Sequence, residues 1–403
     1  MGRVGCDGSV IDLGARRGPV RGRTGGMKQQ SISRSWPERL AMTAVFVANG
    51  LAFGAWAGNI ARFKDAAGLR GETLGDAALG VVLLCVSLGA VGAMQVAGRY
   101  AARVGTARAS WLSALVLAVA LPLPAVAPGW WGVLAAGALL GLGLGLLDVC
   151  MNAHASVIER RWGAAIMSSF HAGWSLGQLL GAASAGLLAG VGLFSALAVP
   201  GVLVAGLGLA AVLLPEERGE PGERGRFMRP TQTVVVLGAM IALSFAIEGG
   251  TADWSGVFLR TVRDVPAALA STSLVVFAAA MIGMRLVGDG LVRRLGPSRV
   301  VRWGSVVAAG GLLVALYSPG LVWASVGFAL VGAGVANIVP VVFSAAGKLG
   351  AAGVSMVATA GYGAVMATPP LIGFLSEEVG LQLALLVLVG GAVLMAGLAR
   401  GPR

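Results

Sequence analysis

The chain has 403 residues, of which 57% are hydrophobic and only 12% charged, with a mean hydropathy of +0.83. A soluble domain cannot hide that much apolar surface, whereas lipid can, so composition excludes an ordinary soluble enzyme or binding module. The net charge of +12 sits mostly in loops and at the N-terminus, where it suits an anionic lipid surface, and no nucleic-acid partner is expected.

The stretch from Met1 to Gly26 has no apolar core, so it reads as disordered rather than as a signal peptide. Residues 1–39 form an expected disordered cytoplasmic segment, within which Met27 offers an alternative start. Apolar stretches follow near 40–61, 76–98, 108–126, 131–156, 164–188 and 192–214. A second set lies near 232–257, 267–290, 300–317, 320–345, 351–375 and 379–399. A spanning helix needs roughly 20 apolar residues, so twelve of them leave no room for a sizeable soluble domain. Between the sets, Pro215 to Pro230 is polar and holds Glu216, Glu217, Arg218, Glu220, Glu223, Arg224, Arg226 and Arg229. The predicted fold is an all-α integral membrane protein with twelve transmembrane helices in two six-helix bundles, 40–214 and 232–403, joined by a cytoplasmic linker at 215–231.

Basic residues fix the expected orientation. Arg99, Arg103 and Arg108 fall between spans 2 and 3, Arg160 and Arg161 between 4 and 5, Arg293, Arg294 and Arg299 between 8 and 9, and Lys348 between 10 and 11. With Arg400 and Arg403 they lie on the side of the termini, which is therefore expected to be cytoplasmic. On the opposite side the loop bases Arg62, Lys64, Arg70, Arg260 and Arg263 are balanced by Asp65, Glu72, Asp76 and Asp264. Cys6, Cys85 and Cys150 form no CxxC pair, so neither a disulfide framework nor a zinc site is expected, and no cofactor.

The halves repeat. Trp56-Ala57-Gly58 with Arg62 matches Trp254-Ser255-Gly256 with Arg260, and Arg103, Gly105 and Arg108 match Arg294, Gly296 and Arg299. Gly143, Gly145 and Asp148 match Gly332, Gly334 and Asn337, and Ala172-Gly173-Trp174 matches Ala360-Gly361-Tyr362, all in order at offsets of 188 to 198 positions. A duplicated six-span unit is a transporter layout with a pathway between the halves.

From Leu40 onward the chain resembles the major facilitator superfamily. Its loop signature appears as Gly98, Arg103, Gly105 and Arg108, with Ala102 where an acid is expected, and again as Gly288, Asp289, Arg293, Arg294, Gly296 and Arg299. The resemblance implies that these residues form a charge latch gating the cytoplasmic side, weakened in the first half by Ala102. Asp148 to Asn152 and Met167 to Gly173 are similar to a bacterial branch near the fucose-permease-like members, which implies a bacterial cytoplasmic membrane.

Charged groups within spans cost roughly 2.5–3.5 kcal/mol each and need a reason. Asp148 stands about 12 Å of helix from the cytoplasmic end of span 4, and Asn152 lies one turn on. His171 lies at similar depth in span 5, so a hairpin of spans 4 and 5 would let the two groups pass a proton. The bland alternative is a polar pair that locks the hairpin. Glu248 precedes Gly249-Gly250, which should weaken span 7 there and open it to a cavity, while Asp253, nearer the outer end, faces the same cavity, reaches water or pairs with a basic loop residue such as Arg260. Proton coupling is thus expected at Asp148, His171 and Glu248. Solute contacts are expected at Asn49, Asn152, Glu248, Asp253, Asn337, Trp174 and Tyr362. Arg285 and Asp289, spaced i, i+4, read as a local ion pair of the gating loop, or else Arg285 grips an anionic solute.

Pro340 and Pro369-Pro370 should kink spans 10 and 11. Gly173, Gly177 and Gly181 put a small-residue face on span 5. No HExxH or phosphate-binding loop is present in the sequence. The expected function is secondary transport of a small solute with protons by a monomer, either uptake of a polar compound such as a sugar or efflux of an organic one. A receptor or scaffold without transport is the remote alternative.

Overall fold

The computed structural model describes residues 35–66, 74–163, 166–217 and 231–399. The N-terminal segment with Met27, most of the linker, Arg70, Glu72, Arg400 and Arg403 lie outside the described residues. Among the described residues the regular structure is all helical.

In the first half, spans 1 to 6 are Trp36–Ala66, Asp76–Val104, Thr106–Ala120, Gly129–Trp162, Met167–Leu187 and Leu193–Gly208. Short 3-10 turns extend spans 3 and 6. In the second half, span 7 is Gln232–Thr261 and span 8 is Thr272–Leu295, preceded by the turn Ala267–Ala270. Span 9 is Pro297–Tyr317, span 10 is Gly320–Val335 continued by Ile338–Gly347, and span 11 is Gly350–Val379. Span 12 runs as Leu381–Ala384 and Leu386–Leu398. Ten of these meet the length and apolarity needed to cross a membrane. Spans 5 and 11, at 21 and 30 residues, are long enough and more polar.

The chain reverses between spans 2 and 3 at Gly105, φ +93°, and at the equivalent point between spans 8 and 9 at Gly296, φ +81°. That backbone region is open to glycine and costly for side chains with a Cβ, so each basic loop folds within a single residue.

Pro340 interrupts span 10 as expected: it has no N–H for the carbonyl of Ala336, and the helix breaks at Ala336-Asn337. Span 11 carries Pro369-Pro370 inside one continuous helix, and the expected opening of span 7 is corrected. Span 7 runs unbroken past Gly249-Gly250, because Gly250 is used for packing, with Leu388 and Ile372 in the space its side chain would need.

Chain order also misled one pairing. Span 5 packs along span 1 rather than folding back on span 4, which lies instead against span 2. The halves meet through spans 2 and 11, 5 and 8, and 1 and 7. The first two contacts are equivalent under the six-span repeat, so the interface is itself pseudo-symmetric.

Candidate functional site

At mid-depth the interface between the halves is polar. Arg285, ten residues before the end of span 8, crosses to the other half: its Nη1 donates to Ser175 Oγ on span 5 at 3.0 Å. Its Nε donates to the Ala336 carbonyl at 3.3 Å, the acceptor that Pro340 leaves free. One proline thus both breaks span 10 and supplies an anchor for a buried guanidinium. The charge of Arg285 also reaches His171 on span 5 and Glu248 on span 7. Arg285 therefore faces the inter-half space, and its described contacts are these rather than a local ion pair. The side chain of Asp289 lies outside the described residues.

Glu248 is half-buried and accepts from Ser244 Oγ at 3.2 Å. Asp148, also half-buried, accepts from Asn152 Nδ2 at 3.4 Å, while the same amide reaches the Asp148 carbonyl at 2.8 Å. Tyr362 of span 11 lies within electrostatic reach of Asp148. Its ring is 6.3 Å from that of Phe245. His171 is exposed on its span and sits edge-on to Phe46, 5.3 Å between ring centres. The expected Asp148–His171 pairing is not among the described contacts, because spans 4 and 5 do not form the hairpin it required. The constellation joins Asp148 to Tyr362, and Arg285 to Ser175, His171 and Glu248.

Other expected contact residues are engaged elsewhere. Asn49 is buried, accepts from Trp174 Nε1 at 2.8 Å and donates to the Leu144 carbonyl at 3.2 Å, tying spans 1, 4 and 5. Both side chains are committed to helix packing. Asn49→Leu should keep the volume but strand Trp174 Nε1 and the Leu144 carbonyl, at a cost of about 1–3 kcal/mol; a lowered melting temperature checks this. Asn337 donates to the Met284 carbonyl at 3.2 Å and fills the space beside Gly288. Asp253 is half-buried. Arg260, its expected partner, instead binds Asp65 of span 1 at 2.9 Å.

At the termini face, the acid missing at Ala102 is supplied from elsewhere. Glu216 lies 4.0 Å from Arg108 and fills the space where a Cβ on Gly105 would sit. The Glu217 carbonyl accepts from Thr106 N–H at 2.8 Å and from Thr106 Oγ1 at 3.1 Å. Its carboxylate pairs with Arg161, which also lies 3.9 Å from Glu38. Gly98 has open space beside it in span 2, and Arg103 is exposed at the helix end. In the second half Arg293, Arg294 and Arg299 are exposed. Sequence reasoning missed Ser175, Ser244 and the use of Glu216 and Glu217. A hydroxyl in a helix gives no signal of its own, since it can bond its own backbone. The two acids were visible only as linker charge.

Residues 40–357 match the family described as the Major Facilitator Superfamily. An uncharacterised MFS-type transporter of Yersinia pestis is 34% identical over 363 residues, covering 88% of this chain and 93% of the relative. The membrane protein MosC of Rhizobium meliloti is 32% identical over 371 residues, covering 89% of each. The crystal structure of a mutant of the nucleoside transporter NupG is similar in fold, with a TM-score of 0.71 at 14% identity over 89% of this chain and 98% of that one. A bacterial homologue of the human lysosomal transporter Spinster, captured inward-facing and unoccupied, aligns with a TM-score of 0.70 at 12% identity over 91% and 97% of the two chains.

Proposed function

From the premise that the chain belongs to the major facilitator superfamily, and so is a membrane transporter rather than an enzyme, we propose that it carries a small polar solute together with protons. The direction is uptake, across a bacterial cytoplasmic membrane, with both termini inside and the monomer as the working unit. Asp148 and Glu248 are the proton-carrying groups, and Arg285 ties the second of them to the opposite half.

One observation carries this reading. Each half holds a half-buried carboxylate at mid-span whose direct hydrogen-bond partner is neutral, Asn152 for Asp148 and Ser244 for Glu248. A carboxylate kept in low dielectric without a directly paired cation is costly, and transporters tolerate that cost where protons must be carried. The arrangement around Glu248 supports coupling of a proton to movement. Glu248 lies within electrostatic reach of Arg285, and Arg285 is bonded to Ser175 in the other half.

The test uses de-energised cells expressing the protein in weakly buffered medium. Sugars, organic acids, nucleosides and drug-like compounds are added singly while external pH is recorded. Alkalinisation on addition of one compound, reduced in Glu248→Gln, is the expected result. Acidification instead would mean that a proton leaves as the solute enters, and the reading would change to export by antiport.

A further inference from the structure

We propose that Glu377 and Asp76 form a clasp between the halves that closes the face opposite the termini, and that its release is a step of the transport cycle. This inference rests on the family alone and does not depend on which solute or ion is carried.

The clasp begins with an unfinished helix end. Span 2 starts at Asp76, and Gly75 before it offers no side chain to cap the free N–H groups of the first turn. The cap comes from the other half: Ala77 N–H donates to Glu377 Oε1 of span 11 at 2.9 Å. A carboxylate there also meets the positive end of the helix dipole. Asp76 is used on both oxygens, taking Lys64 Nζ from its own half and Ser376 Oγ from the other. The two helix ends are therefore stitched reciprocally, an acid of each accepting from the other.

Close approach is built in beside these bonds. A Cβ on Gly75 would lie 2.8 Å from Glu377 Oε1, and one on Gly80 would lie 3.0 Å from the Pro369 carbonyl and the Pro370 Cα. A side chain at Gly80 would hold spans 2 and 11 apart, because its neighbours are backbone, whereas one at Gly75 would displace the Glu377 carboxylate. A second tie lies on the same face, where Arg260 of span 7 binds Asp65 of span 1.

The distribution of inter-half bonds gives the clasp its meaning. Among the described residues they are Ala77–Glu377, Asp76–Ser376, Asp65–Arg260, Ser87 to the Val365 carbonyl at 3.4 Å, and Ser175–Arg285. The first three lie at the far face and the last two nearer mid-depth. None of these five joins the halves at the termini face. Interactions made in only one of two states set the balance between them. These bonds must all break for the far face to open, whereas a bond inside one half would be indifferent to the change.

The experiment is double electron–electron resonance on full-length protein in lipid nanodiscs, with Cys6, Cys85 and Cys150 replaced by Ser. One spin-label pair, at Val126 and Leu383, reports the far face, and a second, at Arg160 and Leu295, reports the termini face; all four positions are exposed. In Glu377→Ala combined with Asp76→Asn the closed-to-open ratio of the far face should fall about tenfold. The far pair lengthens while the termini pair shortens. Glu377→Gln, which keeps an oxygen acceptor, and Ser376→Ala, which removes one link, should shift both pairs in the same sense by less. Unchanged distances in all variants would overturn the clasp. So would broadening of both pairs without the reciprocal change, which would mean that the residues only hold the fold together.

Discussion

Proteoliposomes carrying Asp148→Asn should lose gradient-driven accumulation of the solute while keeping downhill exchange. The expected size follows from the driving force. One elementary charge moved through 100 mV is worth about 2.3 kcal/mol, and about 1.4 kcal/mol is tenfold, so one coupled proton supports roughly 50-fold accumulation under an equivalent proton gradient. The variant should fall to no accumulation at all. Asparagine keeps the shape and one oxygen acceptor, so the bond from Asn152 and the packing of span 4 have no reason to change. The melting temperature should therefore stay close to wild type, which separates loss of coupling from loss of fold. Normal accumulation by Asp148→Asn would remove it from the relay and leave Glu248 as the remaining acid of the pair. Loss of exchange as well would point to a direct contact with the solute.

What the sequence showed and what it hid divide along one physical line. Hydropathy and the six-span repeat are properties of the chain taken in order, and spans such as Asp76–Val104 and Gln232–Thr261 start where the apolar stretches predict. Their ends run further, because helices such as Gly129–Trp162 continue through the amphipathic residues that project beyond the lipid. Which helices touch is not written in order. Asp148 and His171 lie symmetrically about a turn, yet span 5 finds its partner in span 1 because both carry glycines at matching heights. Pro340 announced a break in span 10, but nothing in sequence said that the freed Ala336 carbonyl would hold Arg285. Asn49 looked like a cavity residue because it is polar inside a span. A half-buried Trp174 indole needs an acceptor just as much, and that demand is visible only once the helices are placed. The acid absent at Ala102 could be sought only near its own loop, whereas Glu216 and Glu217 arrive from the end of span 6.

The pairing of spans 1 and 5 also predicts the most severe loss of stability. A Cβ on Gly177 would overlap the Val47 carbonyl oxygen and stand 2.8 Å from the Leu51 nitrogen, and one on Gly181 would stand 2.6 Å from the Ala55 nitrogen. From the other side, a Cβ on Gly54 would stand 2.9 Å from the Ala182 nitrogen. All of these neighbours are backbone, which cannot swing aside as a flexible side chain can. In lipid, where water gives no hydrophobic push between helices, such close approach is itself the main source of association. Gly177→Val must then separate the two helices, giving up their mutual contact and the Trp174–Asn49 bond that crosses the seam. Overpacking costs typically 1–3 kcal/mol, and displacement along a whole interface places this variant at about 3 kcal/mol or more. Gly177→Ala should fall between it and wild type. Gly206→Ala on span 6, with no atom within 4 Å of the added methyl, should be neutral or stabilising by up to about 1 kcal/mol through helix propensity. Melting curves and gel filtration of the purified variants in detergent measure the series. Gly177→Val that elutes and melts as wild type would mean that spans 1 and 5 are not held at this distance, and the placement of Ser175 against Arg285 would lose its support.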